Sequence, residues 1–205
     1  MGFASASCGF TRYRIVENIP PDLLSNIPSI LRRYAFKDID SMPSEERSLG
    51  WTSFDDMLDT EWNNAPPEKG AYLAFCLRLE TRRIPPAVLK KHLAIALREE
   101  KRRMAEQGKQ FVSRERKKEL KEQVRLRLLA HFLPVPALFD VLWATDTGIV
   151  MFAATQRKIL DAFEEKFTQS FELTLDQLTP YGLAAMSLSE HELARLDLIE
   201  ATNFA

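Results

Sequence analysis

Apolar and polar positions alternate over Phe10–Val16 (FTRYRIV), a run rich in β-forming residues. The alternation predicts a strand with Thr11, Tyr13 and Ile15 on one face and Arg12 and Arg14 on the other. Pro20 and Pro21 then open a helical segment, where a missing N–H costs nothing. Pro28 is expected to kink or split it, and Ile30, Leu31, Tyr34 and Ala35 keep helical spacing beyond it, with Arg32 and Arg33 outward. Tyr72–Glu80 (YLAFCLRLE) predicts a second strand. The period then turns helical. Pro85 and Pro86 start a helix to about Gln107 whose apolar stripe is Leu89, Leu93, Ala96 and Leu97, and Gly108 ends it. Ser113 caps a second helix with Leu120, Val124 and Leu128 spaced by four, before Pro134 and Pro136. Each helix is about 20 residues, roughly 30 Å, and the short connection makes them antiparallel. Their apolar stripe fades toward the connection, where Met104 and Phe111 remain among charges, so the tip is expected to project into solvent.

Further on, Ala137–Thr145 and Gly148–Ala154 flank Asp146, Thr147 and Gly148, a β-hairpin signal. Thr155 is placed to cap a helix to Phe167, with Ile159, Leu160, Phe163 and Phe167 on one face. Phe171, Leu173 and Leu175 alternate as a further strand, and Ser189 with Glu192 forms a capping box before a last helix carrying Leu193, Leu196 and Ile199. Lys37–Lys69 is less regular, with Pro43, Gly50, Pro66 and Pro67. Its Trp51, Phe54, Met57, Leu58 and Trp62 suit an ordered loop with a short helix. Strands and helices mixed in this irregular order predict an α+β fold, with mixed or antiparallel sheet portions packed against helices. Residues 85–133 form a basic helical hairpin inserted between an N-terminal α+β portion, 1–84, and a C-terminal one, 134–205. The two portions are expected to share one core.

Composition adds little to the class: 205 residues with 45% hydrophobic and 28% charged side chains can bury a core. No apolar run approaches the ~20 residues of a membrane span. Met1–Gly9 lacks the basic and apolar parts of a signal peptide, so a cytoplasmic protein is expected. Cys8 and Cys76 each lie in an apolar, strand-like run, where a buried reduced thiol is expected.

Charge changes the picture more. The net charge is −1, but Arg78–Arg127 holds 17 Lys and Arg against 7 Glu, a local +10, leaving −11 in the remainder. A segment of that density attracts polyanions, nucleic acid foremost. The candidate phosphate contacts are Arg82, Arg83, Lys90, Lys91, Arg98, Lys101, Arg102, Arg103, Lys109, Arg114, Arg116, Lys117, Lys118, Lys121 and Arg125. The competing reading pairs Glu99, Glu100, Glu106, Glu115, Glu119 and Glu122 with these cations at helical spacings, leaving a solvated or protein-binding surface.

Candidate chemistry is sparse. His92, His131 and His191 have no second histidine or cysteine at metal-ligand spacing, and no nucleophile motif or phosphate-cradling glycine loop is present. Asp55, Asp56, Asp59 and Glu61 are the one acidic cluster that could hold a divalent cation for phosphodiester hydrolysis, although such a run is more often a solvated face. No metal or cofactor is expected.

The order of these features resembles the recombination-associated protein family RdgC. The resemblance runs through Tyr34-Ala35-Phe36, Gly50-Trp51, the Tyr72–Leu79 strand, Arg82/Arg83 with Ile84-Pro85, and the basic hairpin. It continues through Phe132-Leu133-Pro134, the Trp143 strand, Gly148-Ile149-Val150-Met151 and the helix after Thr155. Typical members are longer at the C-terminus, and they tend to place an arginine after the Leu-Pro step where this chain has Val135-Pro136. The resemblance implies a cytoplasmic, nucleoid-associated protein that binds double-stranded DNA with little sequence preference. It also implies a ring-shaped homodimer that restrains recombinase loading. An exonuclease role has been suggested for such proteins, but the resemblance brings no catalytic motif. The expected function is therefore non-enzymatic DNA binding. A metal-dependent nuclease and a self-association or protein-binding module are the alternatives.

Overall fold

Thr11, Tyr13 and Ile15 of the first strand, β1 (Thr11–Ile15), are buried, whereas Arg12 and Arg14 are exposed, as the alternation predicts. This is a computed structural model, and it describes residues 2–42, 44–108 and 111–199. After β1 come α1 (Pro21–Arg33), β2 (Arg47–Ser53), β3 (Glu68–Lys69), β4 (Tyr72–Thr81), α2 (Pro86–Glu106) and α3 (Arg114–Leu129). They are followed by β5 (Val135–Ala144), β6 (Ile149–Phe152), α4 (Arg157–Phe171), β7 (Leu175–Gln177), α5 (Pro180–Ser187) and α6 (Glu190–Asp197). The strands form one sheet in the order β2-β4-β5-β6-β1-β7, with the short β3 paired to β4. β1 runs antiparallel to both β6 and β7, and β5 to β6. The fold is α+β, as expected.

Two compact units divide the chain: residues 1–34, 52–77 and 139–205 in one, and residues 35–51 and 78–138 in the other. The helix pair α2–α3 therefore shares its unit with residues 35–51, a grouping that the sequence pattern does not suggest.

The first unit is built on aromatic side chains. Phe163, Phe167 and Phe171 follow one another at four-residue spacing on α4, so they share a helical face. Phe163 stacks on Phe152 of β6 with ring centres 3.9 Å apart, and Trp143 of β5 meets both Phe167 and Phe171 at 5.4 Å. All five side chains are essentially fully buried. Tyr13 adds its ring to Phe163 and donates its hydroxyl to Glu164 at 3.0 Å. Burial and the neighbouring carboxylate both push the Tyr13 phenol up from its ordinary value.

Several expectations need correction. α1 is a single helix with Pro28 inside it, so the proline does not split it. Trp51 belongs to β2, a strand hidden in the sequence because Arg47 and Gly50 interrupt its apolar pattern. Gly50 is needed there: a β-carbon would collide with the backbone of Ala35 and Phe36. α4 has Gln156 rather than Thr155 at its N-cap position, without a side-chain cap bond, and continues to Phe171, which leaves only Leu175–Gln177 for the following strand. Glu172, in the left-handed region with φ 58°, ends that helix where a glycine would usually stand. α5 has no counterpart among the predicted elements, but the capping box of Ser189 and Glu192 is present at the start of α6. Cys76 is buried in β4, whereas Cys8 precedes β1 and is half-buried. Pro43 lies outside the described residues.

Candidate nucleic-acid interface

Helices α2 and α3 pack against each other. α2 begins at Pro86 and ends before Gly108, whose φ of 72° suits a residue without a β-carbon. Ser113 caps α3 by accepting the Arg116 N–H at 3.1 Å. Leu120, Val124 and Leu128 are the buried stripe of α3. On α2 the stripe of Leu89, Leu93, Ala96 and Leu97 continues one turn further into Glu100, only 6% exposed. This carboxylate does what the fading apolar stripe cannot. It accepts from Arg103 of its own helix at 2.7 and 2.9 Å and from Arg116 of α3 at 2.8 Å. Arg116 also donates to Glu119 at 2.9 Å. Hydrogen bonds from Arg116 and then Arg103 hold the Glu100 carboxyl below the usual carboxylate range, despite burial. The same pairs push the Arg116 guanidinium up. A cleft of about 660 Å³ runs alongside, lined by Glu99, Glu100, Glu106, Arg102, Arg116 and Arg127 among others. It carries both signs, so it is an ion-paired seam rather than an anion pocket.

These contacts sort the fifteen predicted cations. Arg82 is 5% exposed, and its guanidinium donates to the backbone carbonyls of Ile39, Asp40 and Phe132. It ties three segments of its unit together and cannot reach a phosphate. Its place among the contacts is corrected accordingly. Arg103 and Arg116 are held by Glu100, and Arg125 is held by Glu46 and Glu122. For these three, the competing expectation of locally paired charge applies. Arg102 reaches Glu106 only at 3.9 Å, with both side chains well exposed, so it remains available to an anion. Lys109 lies outside the described residues.

The other nine, Arg83, Lys90, Lys91, Arg98, Lys101, Arg114, Lys117, Lys118 and Lys121, are exposed. Among the described residues none of them pairs with a carboxylate. Their spacing gathers them. Arg114, Lys117, Lys118 and Lys121 recur at i, i+3, i+4 and i+7, a single stripe of α3. On α2, Lys90, Lys91, Arg98 and Lys101 fall within an arc of roughly 100°, away from the Glu100 side. Arg127, omitted from the sequence-based set, is also exposed and lines the seam.

The acidic cluster is already engaged. Asp59 is 8% exposed and accepts from the backbone N–H groups of Glu61, Asn63 and Asn64 at 3.0–3.3 Å. Burial raises its pKa, but those N–H groups outweigh it and hold the carboxyl below its ordinary value. Asp55 pairs with Lys69 at 2.6 Å, and Asp56 accepts from the Leu58 N–H. The segment is a chain of turns rather than the expected short helix. Among the described residues, no group of three or more His, Cys, Asp or Glu side chains converges as metal ligands would. Cys76 approaches Asp140 at 3.2 Å; burial, and then that carboxylate, push the thiol up and away from nucleophilic use.

Comparison with known families decides the class. A family model described as "Putative exonuclease, RdgC" matches residues 10–190 of the 205. The chain belongs to the RdgC family. Membership makes it a recombination-associated DNA-binding protein, in keeping with the exposed cations on α2 and α3. A search of curated proteins returns no match for this RdgC-family chain. Among the described residues, no helix is long and apolar enough to cross a membrane.

Proposed function

We propose that the chain is a non-enzymatic, sequence-tolerant binder of double-stranded DNA that limits recombinase loading, acting as a homodimer in the nucleoid. One observation carries the reading: nine exposed cations on and beside the α2–α3 pair lack a carboxylate partner among the described residues. The paired arginines build the scaffold, and the unpaired cations meet phosphates. No base-reading motif accompanies them, so counterion release dominates the affinity. Titrating a labelled duplex at low and moderate salt tests this. Affinity is expected to fall steeply with salt, and reversing Lys101, Arg114, Lys117 and Lys118 to Glu is expected to weaken binding and flatten the slope. No binding at low salt, or no loss on reversal, overturns it.

The family description favours a second reading, an exonuclease. Incubation of labelled DNA with magnesium or manganese separates the two. Cleavage that disappears in Asp55→Ala would support the nuclease, whereas intact DNA supports the binder.

A further inference from the structure

Phe111 is 85% exposed, the most exposed large apolar side chain among those described. It lies in the connection between α2 and α3, two residues before the Ser113 cap of α3. Val112, next in sequence, is 7% exposed, and Ser113 is fixed as the cap of α3. Phe111 thus presents its ring to solvent while the next residue in sequence is buried. The residues that follow, Arg114, Lys117 and Lys118, are exposed cations without a carboxylate partner among the described residues, and Lys101 of α2 is another. An apolar protein pocket would take the ring only if its rim also supplied acidic side chains to match these charges. A nucleobase bordered by phosphates suits both features: the ring stacks on the base, and the cations reach the backbone. Continuous duplex shows base faces nowhere along its length, whereas a gap, a nick or an end does.

Resting on the DNA-binding reading above, we propose that Phe111 stacks on the exposed base face of an interrupted duplex. The chain then prefers gapped or nicked DNA to continuous duplex of the same length. The experiment is a binding competition between a continuous duplex and one with a single-nucleotide gap, with 2-aminopurine at the gap edge. For the full chain, the gapped duplex is expected to bind about tenfold more tightly, with a change in 2-aminopurine fluorescence. Phe111→Ala is expected to abolish the preference and the fluorescence change while leaving continuous-duplex affinity within about twofold, and Phe111→Trp to restore both. Equal affinity of the unsubstituted chain for the two duplexes, or a preference that survives Phe111→Ala, overturns the proposal while leaving phosphate binding standing. So does an oligomer that dissociates on Phe111→Ala in light scattering, which would place the ring in a contact between copies. Failure to bind either duplex at low salt overturns both readings, and weakening of both alike by Lys117→Glu separates phosphate binding from stacking.

Discussion

The two compact units of this chain are each stabilised internally, and by opposite means. Residues 1–34, 52–77 and 139–205 carry 9 Lys and Arg against 18 Asp and Glu, a balance of −9, and their interior is a stack of aromatic rings. Residues 35–51 and 78–138 carry 19 against 11, a balance of +8. There, buried polar groups, Glu100, Arg82 and the Arg78–Glu80 pair, stand beside the apolar residues. The contrast explains how a strongly basic surface can be folded at all. Self-repulsion is relieved by pairing some arginines with internal carboxylates, and the remainder face outward. A charge count along the chain does not separate these two populations. Burial and pairing do.

The aromatic stack offers the most severe test of the contrast. Phe163→Ala or Phe167→Ala empties it and is expected to cost about 3–5 kcal/mol, read as a shift in urea midpoint. A loss under about 1 kcal/mol would mean that the stack is not what holds the acidic unit. Next, Arg82→Met leaves the carbonyls of Ile39, Asp40 and Phe132 without their donor. A loss of roughly 2–3 kcal/mol is expected, with duplex affinity per folded molecule unchanged. Reduced affinity of the fully folded variant would return Arg82 to the interface.

Acid separates the units without any substitution. The Glu100 carboxyl is held below its ordinary value in the folded chain, so its contribution is fully present above the unfolded value of about 4.3. It is lost as pH falls through the lower, folded value. Amide exchange in α2 and α3 is therefore expected to accelerate below about pH 4 ahead of exchange in α4, and Glu100→Gln should remove that dependence. The smallest effect is expected at Lys69. Lys69→Ala removes an exposed ion pair with Asp55 and should move stability by no more than about 0.5 kcal/mol.

Much of the fold is legible in the sequence where one rule dominates. Alternation in β1, the proline-started α2, the Ser113 cap and the Ser189–Glu192 capping box are local signals with local causes. β2 is hidden because Gly50 answers to the backbone of a distant segment rather than to its own strand pattern. The end of α4 is hidden because Glu172 stops it in a left-handed conformation that its side chain does not advertise. In the basic segment the sequence shows where cations accumulate, but not which are already paired. Arg82 and Lys90 are both cations of one basic segment, and only the tertiary carbonyls around Arg82 separate them. The setting of Asp59 is hidden for the same reason, since its partners are backbone N–H groups that no side-chain pattern reveals.

The sheet order also bears on how the chain folds. β4 and β5 are neighbours in the sheet, yet α2 and α3 lie between them in sequence. Closing that pair from an unstructured linker of about 50 residues carries a chain-entropy cost of roughly 3 kcal/mol. Helices form in about a microsecond or less, so a helix pair assembled early shortens the effective linker before the strands meet. If the helix pair does assemble first, a variant that loosens it, such as Glu100→Gln, should refold more slowly even where equilibrium stability is regained by stabilising solutes.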